Sequence, residues 1–321
     1  MPRGAREPGP PLPPVALVLT GPTGSGKSDW AMRLAAELPI EIISVDSAQV
    51  YRGMDIGTAK PSAAARALVG HHLLDIRDPA ERYSAGEFVR DARAALVAIH
   101  ARGRLPVLVG GTLLYLRALL RGMAELPEGS PRLRAAMEAE ARTLGWPALH
   151  ARLQVVDPQA AARIHPNDPQ RIQRALEVQQ LTGRPISEWQ ANTRAPLQGV
   201  AWVCRALVPA DRAAHAVRLE ERFRTMLAAG LVDEVRTLMG RGDLSVELPA
   251  MRAVGYRQVW EYCAGECDLA TASARAVAAT RQFAKRQLTW LRSEPAFQHL
   301  EPHDGAGFAR LVASLQSAPA S

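Results

Sequence analysis

Residues 21–28 read GPTGSGKS, three glycines among small polar residues, closing on Lys27 and Ser28. An apolar run at 15–19 precedes them and a helix-like stretch at 29–38 follows. That is the strand–loop–helix setting in which a phosphate-loop (Walker A) pattern carries meaning. Across Gly21, Pro22, Thr23, Gly24, Ser25 and Gly26 the backbone can curl with its N–H groups facing inward. The emerging helix adds the positive end of its dipole, and Lys27 adds a point charge. Such a nest binds a diphosphate group, and the Ser28 hydroxyl can ligate a magnesium ion sharing the same oxygens.

A motor or switch protein also needs an acidic residue ending a second apolar strand, to hold the magnesium–water shell. The best such strand, 105–109, runs into Gly110-Gly111-Thr112 with no carboxylate, and no NKxD-type guanine-reading motif occurs. The strand at 40–45 ends instead in Asp46. The pattern therefore describes a phosphate-loop enzyme with one well-placed carboxylate, rather than an ATP-hydrolysing machine.

Strand-like segments at 15–19, 41–45, 71–74 and 105–109 alternate with helical ones at 29–38, 85–102 and 113–120, which predicts an α/β core with a mostly parallel sheet covered on both faces. From 125 to 195 the strands vanish and helical periods fill the gap, at 131–144, 146–155 and 168–181. The last has Asp168 as N-cap, Pro169 at its first position and Gly183 beyond its end. Residues 201–208 read as a strand again, after which helices run to the end. The expected organisation is a disordered tail at 1–14, a core from 15–124 plus 201–300, an inserted helical lid at 125–200 and a tail at 301–321. No internal repeat is present.

With 321 residues and 47% apolar content the chain can bury a sizeable core. No apolar run reaches membrane-spanning length, and the six prolines of the first 14 residues are unlike a signal peptide. Three cysteines (Cys204, Cys263, Cys267) make no disulfide framework, and Cys263 with Cys267 lacks a second ligand pair for zinc. A reducing cytoplasm is the simplest compartment. The net charge of +7 permits a polyanionic partner. Of 39 basic residues only Lys27, Lys60 and Lys285 are lysines, so lysine is expected where a compact ammonium serves better than a planar fork. On that ground Lys60 and Lys285 are expected to contact phosphate or RNA. The helix at 268–292 carries Arg275, Arg281, Lys285, Arg286 and Arg292 against one acid, Asp268, with Trp290 in the same region. A one-signed face with an aromatic suits nucleic acid.

Six stretches together resemble the bacterial tRNA dimethylallyltransferases, the tRNA isopentenyltransferase or IPP transferase family. They are ISVDSAQVYRGMDIGTAKP (43–61), LLDIRDP (73–79), LVGGT (108–112), HPNDPQRIQRALEV (165–178), VGYRQVW (254–260) and ATRQFAKRQLTWLR (279–292). The resemblance implies a P-loop NTPase-like parallel sheet core with an inserted all-helical domain and a helical C-terminal part. It implies transfer of a dimethylallyl group from dimethylallyl diphosphate to the exocyclic amine of the adenosine just 3′ of the anticodon, in tRNAs reading codons that begin with U. Magnesium would assist, and the loop would bind a diphosphate that leaves. Nothing in the sequence demands a dimer or a membrane, so a monomer away from membranes is expected.

By the same resemblance Arg222 is the arginine outside the loop that meets the leaving group, and Thr112 lies near the leaving group or the acceptor base. The tRNA-contacting tracts are Asp46, Ser47, Ala48 and Gln49; Gln170, Arg171, Ile172, Gln173 and Arg174; Arg252, Ala253, Val254, Gly255, Tyr256 and Arg257; and Lys285, Arg286, Gln287, Leu288, Thr289, Trp290, Leu291 and Arg292. Arg134 is a further contact.

Chemistry explains the parts independently. An adenine amine is a poor nucleophile, and a base that takes its proton as the bond forms contributes roughly 10²–10⁴-fold. Asp46, ending a strand beside the loop, is the carboxylate placed for this. Negative charge building on the departing diphosphate can be taken by Lys27 and the loop amides in a dry site. A base in an anticodon loop must be flipped outward before its amine is reached. A small-molecule kinase, with Asp46 as base for a substrate hydroxyl, and a regulatory nucleotide switch are the competing readings.

Overall fold

The computed structural model describes residues 15–124, 126–192, 197 and 199–317. They divide into two compact units, one made of residues up to 116 together with 199 onward, the other of residues 117–198. The expected tail at 1–14 lies outside the described residues.

In chain order the first stretch gives β1 (Val15–Thr20), α1 (Lys27–Glu37), β2 (Ile40–Val45), α2 (Ala63–Leu68), β3 (His71–His72), α3 (Ala85–Ala101), β4 (Leu105–Gly110) and α4 (Leu113–Arg121). The helical unit holds α5 (Pro131–Leu144), α6 (Trp146–Val156), α7 (Pro158–Ala161), α8 (Pro169–Thr182) and α9 (Ile186–Ala191). The chain then returns through β5 (Ala201–Leu207), α10 (Arg212–Ala228), α11 (Leu231–Gly240), α12 (Tyr256–Cys263), α13 (Leu269–Arg292), β6 (Gln298–Leu300) and α14 (Gly305–Gln316).

Among the described residues the strands form one parallel sheet in the order β3-β2-β4-β1-β5-β6. Strands β1 and β2 are almost wholly buried, as apolar runs in a sheet covered on both faces must be. β1 lies between β4 and β5, so the loop after it opens where the strand order reverses, the position at which open α/β sheets bind ligands. β3 is shorter than the expected 71–74 because Leu73 (φ 63°) and Asp75 (φ 57°) turn into the left-handed region and break the extended run.

Residues 301–321, expected as a tail, instead contain α14, which packs on the phosphate-loop helix. Phe308 meets Trp30 edge to face at 5.2 Å, Trp30 Nε1 donates to the Pro302 carbonyl at 2.7 Å, and Phe308, Leu311 and Leu315 join the core around Leu17, Leu34 and Leu207. Strand β6 was likewise absent from the sequence expectation. It pairs Gln298–Leu300 against β5.

The helical unit has its own core, with Met137, Leu149, Leu153, Ile172, Leu176 and Ile186 buried together. Helix α8 begins as its sequence predicts: Asp168 accepts from the Arg171 amide, Pro169 opens the first turn and Gly183 closes the end at φ 70°. Among the described residues no helix is long and apolar enough to cross a membrane.

Candidate active site

The phosphate loop turns through glycines at backbone angles that other residues rarely adopt. Gly24 (φ 72°) and Gly26 (φ 80°) sit in the left-handed region, and a Cβ on Gly24 would stand 2.7 Å from Leu219 Cδ2. Lys27 Nζ donates to the carbonyls of Gly21 and Pro22 at 2.9 and 2.7 Å, with no carboxylate paired to it among the described residues. Desolvation first, then the Arg222 guanidinium, bring its ammonium from the ordinary 10.5 down to about 7, against the opposing pull of Asp46. Arg222, on α10, is also lowered by burial, opposed by Asp46 and Asp29. The Ser25 hydroxyl in the same loop is buried without a hydrogen-bond partner among the described residues. Two desolvated cations, Lys27 and Arg222, in one cleft with the Asp46 carboxylate make a site suited to an anion.

Two residues pin this loop: His215, which the sequence did not single out, and Gln287, which it placed among the tRNA contacts. His215 on α10 is 4% exposed and its Nε2–H donates to the Thr23 carbonyl at 2.8 Å. Burial lowers its pKa, helped by Arg218 and Lys27 and opposed by the Thr23 contact, so the neutral ring is the form that fits. Gln287 on α13 accepts from the Thr23 amide at 2.9 Å and donates to the Gly111 carbonyl at 2.8 Å. Both are polar residues inside amphipathic helices, and helical periodicity alone does not distinguish a clamp from a solvated position.

Across the cleft, β2 and β4 deliver Asp46 and Thr112 side by side. The Thr112 amide donates to the Val45 carbonyl at 3.1 Å, and Thr112 Oγ1 accepts from the Ser47 amide at 3.0 Å. Asp46 Oδ1 accepts from the Ala48 and Gln49 amides at 2.8 and 3.3 Å. Oδ2 has no partner among the described residues and remains available for a proton. Gln49 is fully engaged: Oε1 accepts from Ser44 Oγ at 2.9 Å, while Nε2 donates to the Thr58 and Ala59 carbonyls at 3.2 and 3.3 Å.

One cleft of about 640 Å³ is lined by Thr23, Lys27, Ser28, Asp46, Ser47, Ala48, Gln49, Thr112 and Arg222, together with Arg252, Ala253, Val254, Arg286 and Gln287. The sequence-predicted loop, base and flanking arginine are thus brought together with parts of two expected tRNA tracts. A magnesium ion fits the donors present. Ser28 is exposed to the cleft at the start of α1, and a single hydroxyl suits a hard cation that keeps its waters and borrows phosphate oxygens. No cluster of three His, Cys, Asp or Glu side chains occurs among the described residues.

Several expected tRNA contacts are spoken for inside the protein. Ile172 is fully buried in the helical core. Arg134 and Arg174 both bond the carboxylate of Glu177, which is 0% exposed, at 2.8 and 2.6 Å, and Gln173 Nε2 reaches the Arg134 carbonyl. Tyr256 is buried and donates to Glu234, whose carboxylate also accepts from the consecutive amides of Asp55, Ile56 and Gly57. Gly255, Gln287 and Leu291 are buried as well. Gln170, Arg171, Arg252, Arg257, Lys285, Arg286, Thr289 and Arg292 are exposed, while Leu288 and Trp290 are half-buried, Trp290 packing against Phe297. On α13, Arg275 and Arg281 pair with Glu261 and Glu220, whereas Lys285, Arg286 and Arg292 have no acidic partner among the described residues.

Lys60 corrects the lysine expectation. Its ammonium is buried and bonds the Tyr51 carbonyl at 2.7 Å and the carboxylates of Asp55 and Asp75 at 2.6 Å each. With every donor satisfied internally, it has none left for phosphate or RNA.

A family model described as IPP transferase matches residues 49–294. The tRNA dimethylallyltransferase of Thioalkalivibrio sulfidiphilus is 56% identical over 97% of this chain and 98% of its own length. That of Halorhodospira halophila is 60% identical over 87% and 90%. Among solved structures, the full-length tRNA isopentenylpyrophosphate transferase of Bacillus halodurans is 35% identical, covers 95% of this chain and 96% of that one, and has a TM-score of 0.68. A eukaryotic dimethylallyltransferase acting on tRNA is 26% identical, covers 94% and 77%, and has a TM-score of 0.75. These likenesses do not favour the kinase reading of the phosphate loop. With a model spanning most of its length and relatives alike almost end to end, the chain belongs to the IPP transferase family.

Proposed function

We propose that this protein, like its relatives, transfers a dimethylallyl group from dimethylallyl diphosphate to tRNA. The acceptor is the exocyclic amine of the adenosine immediately 3′ of the anticodon, in tRNAs reading codons that begin with U. The observation that carries the reading is the pair of desolvated cations, Lys27 and Arg222, in one cleft with the carboxylate of Asp46. An anion is received at one side of the cleft and a proton at the other.

The amine nitrogen attacks the allylic carbon, the N–C bond forms as the C–O bond breaks, and diphosphate leaves. Asp46 Oδ2 takes the amine proton, while Oδ1 stays fixed by the Ala48 and Gln49 amides. Lys27, Arg222 and the loop amides hold the charge that builds on the leaving oxygen. Thr112, tied to Ser47, fixes the backbone beside the acceptor base. Ser28 would hold a magnesium ion, which would supply further positive charge against the leaving group. The exposed Gln170, Arg171, Arg252, Arg257, Lys285, Arg286 and Arg292 are the side chains assigned to tRNA. The protein acts as a monomer in the cytoplasm.

The test is incubation with magnesium, labelled dimethylallyl diphosphate and unmodified tRNA, followed by nucleoside analysis. Label on a single adenosine 3′ to the anticodon is expected. A folded preparation that transfers nothing to tRNA, yet phosphorylates a small hydroxylated acceptor from ATP, overturns the reading.

A further inference from the structure

Gln287 stands in the stretch of α13 expected to face tRNA, yet it is 2% exposed and faces the phosphate loop. Its neighbours Lys285, Arg286 and Thr289 are exposed. Both ends of its amide are used, and in only one sense. Oε1 accepts from the Thr23 amide and Nε2 donates to the Gly111 carbonyl, so the oxygen and nitrogen cannot be exchanged. Thr23 belongs to the loop that holds the diphosphate. Gly111 immediately precedes Thr112, whose hydroxyl meets the residue next to Asp46. A single side chain therefore joins the leaving-group half of the cleft to the proton-accepting half, across 264 residues of sequence on one side and 176 on the other.

Gly111 is shaped to this contact. A Cβ there would stand 2.3 Å from Gln287 Nε2, and its backbone is not left-handed, so the glycine is required for space rather than for conformation. We propose that Gln287 is a positioning residue. Acting through the Thr23 N–H and the Gly111 carbonyl, it sets the separation between the diphosphate loop and the Asp46–Thr112 pair, and it does not contact tRNA. The reaction it serves rests on the transfer proposed above. A misplacement of about 1 Å between reacting groups costs ~10²-fold in rate, which is the effect at stake.

The experiment uses the full chain carrying Gln287→Ala, Gly111→Ala, both together, and Gln287→Glu, each checked for melting temperature. Affinity for inorganic diphosphate, affinity for tRNA and kcat at saturating substrates are measured separately. Gln287→Ala is expected to lower kcat by ~10²-fold and weaken diphosphate binding while tRNA affinity stays unchanged. Gly111→Ala is expected to fall similarly, and the double variant to be no worse than Gln287→Ala, because the new methyl enters space the glutamine has left. Should Gln287→Ala fail to fold, Gln287→Glu keeps the length and the acceptor for Thr23 but loses the donor to Gly111, and a lower kcat is again expected. Loss of tRNA affinity at unchanged kcat, or losses from Gly111→Ala and Gln287→Ala that multiply, overturns the proposal. A wild-type chain that transfers nothing sinks the transfer reading instead, while the Gly111–Gln287 coupling is still read in diphosphate affinity and melting temperature.

Discussion

The Arg222 guanidinium stands close enough to Lys27 to add to the desolvation that drives the Lys27 ammonium to about 7. A diphosphate entering beside Lys27 restores the charged form, so binding takes up a proton wherever the free protein has lost it. That window opens near pH 7 and closes near the ordinary 10.5. Diphosphate affinity falls as pH rises through it, by up to ~10-fold per unit. Titration calorimetry with inorganic diphosphate in buffers of different ionisation enthalpy reads the uptake directly. Lys27→Arg, which does not titrate there, removes the ligand's own protonation from the comparison. Equal proton uptake by the two proteins would show that Lys27 is charged throughout.

Asp46→Asn keeps an acceptor for the Ala48 and Gln49 amides but cannot take a proton. Turnover should drop by about 10²–10⁴-fold with tRNA affinity little changed. Asp46→Ala should lose the same turnover and additionally loosen the turn at residues 46–49. If single-turnover transfer on bound tRNA survives in Asp46→Asn, the carboxylate is a base reader and not the proton acceptor.

Lys60 and Lys285 separate structure from recognition. Lys60→Met leaves Asp55 and Asp75 without their shared cation, so melting temperature falls while the salt dependence of tRNA binding keeps its slope. Lys285→Ala should leave melting temperature alone and reduce that slope by about one. Filter binding over a salt series distinguishes the two patterns, and a common response would merge the roles assigned here.

Glu177 is a buried anion shared by Arg134 and Arg174. Burial raises its proton affinity, but the hydrogen bonds from both arginines and from the Ser130 amide outweigh this and bring its carboxyl below the ordinary 4.5. The stability it contributes is present above pH 4.5 and disappears as pH falls through the lower folded value. Glu177→Gln should destabilise the helical unit by up to ~3 kcal/mol, moderated by the partial exposure of both guanidinium groups. Thermal unfolding of the variant at pH 7 checks the figure. A change confined to tRNA affinity would place the arginines on the RNA side.

What the sequence made legible was whatever is local. The phosphate loop, Asp46 at the end of its strand and the βα alternation that implies a parallel sheet are all written within a few residues of one another. Lys60 misled because its partner Asp75 reaches it through a left-handed backbone position that no apolar pattern records. Gln287 looked like its exposed neighbours because a helix turns its side chains by about 100° per residue, and which face meets the loop is decided by packing. The three residues of β6 are too few for alternation to register. They are fixed by pairing with β5, nearly a hundred residues upstream.

The packing of α14 and β6 against β5 and the phosphate-loop helix also has a consequence for synthesis. The ribosome makes β1 and α1 first, but Trp30 finds Phe308 and the Pro302 carbonyl only after residues beyond 300 have emerged. Until then the back of the phosphate-loop helix and the edge of β5 are bare, in a sheet whose central strand already awaits partners far along the chain. Such late closure favours slow folding and exposes growing chains to association through that edge, which makes the last turns of the molecule a guard for its first functional element.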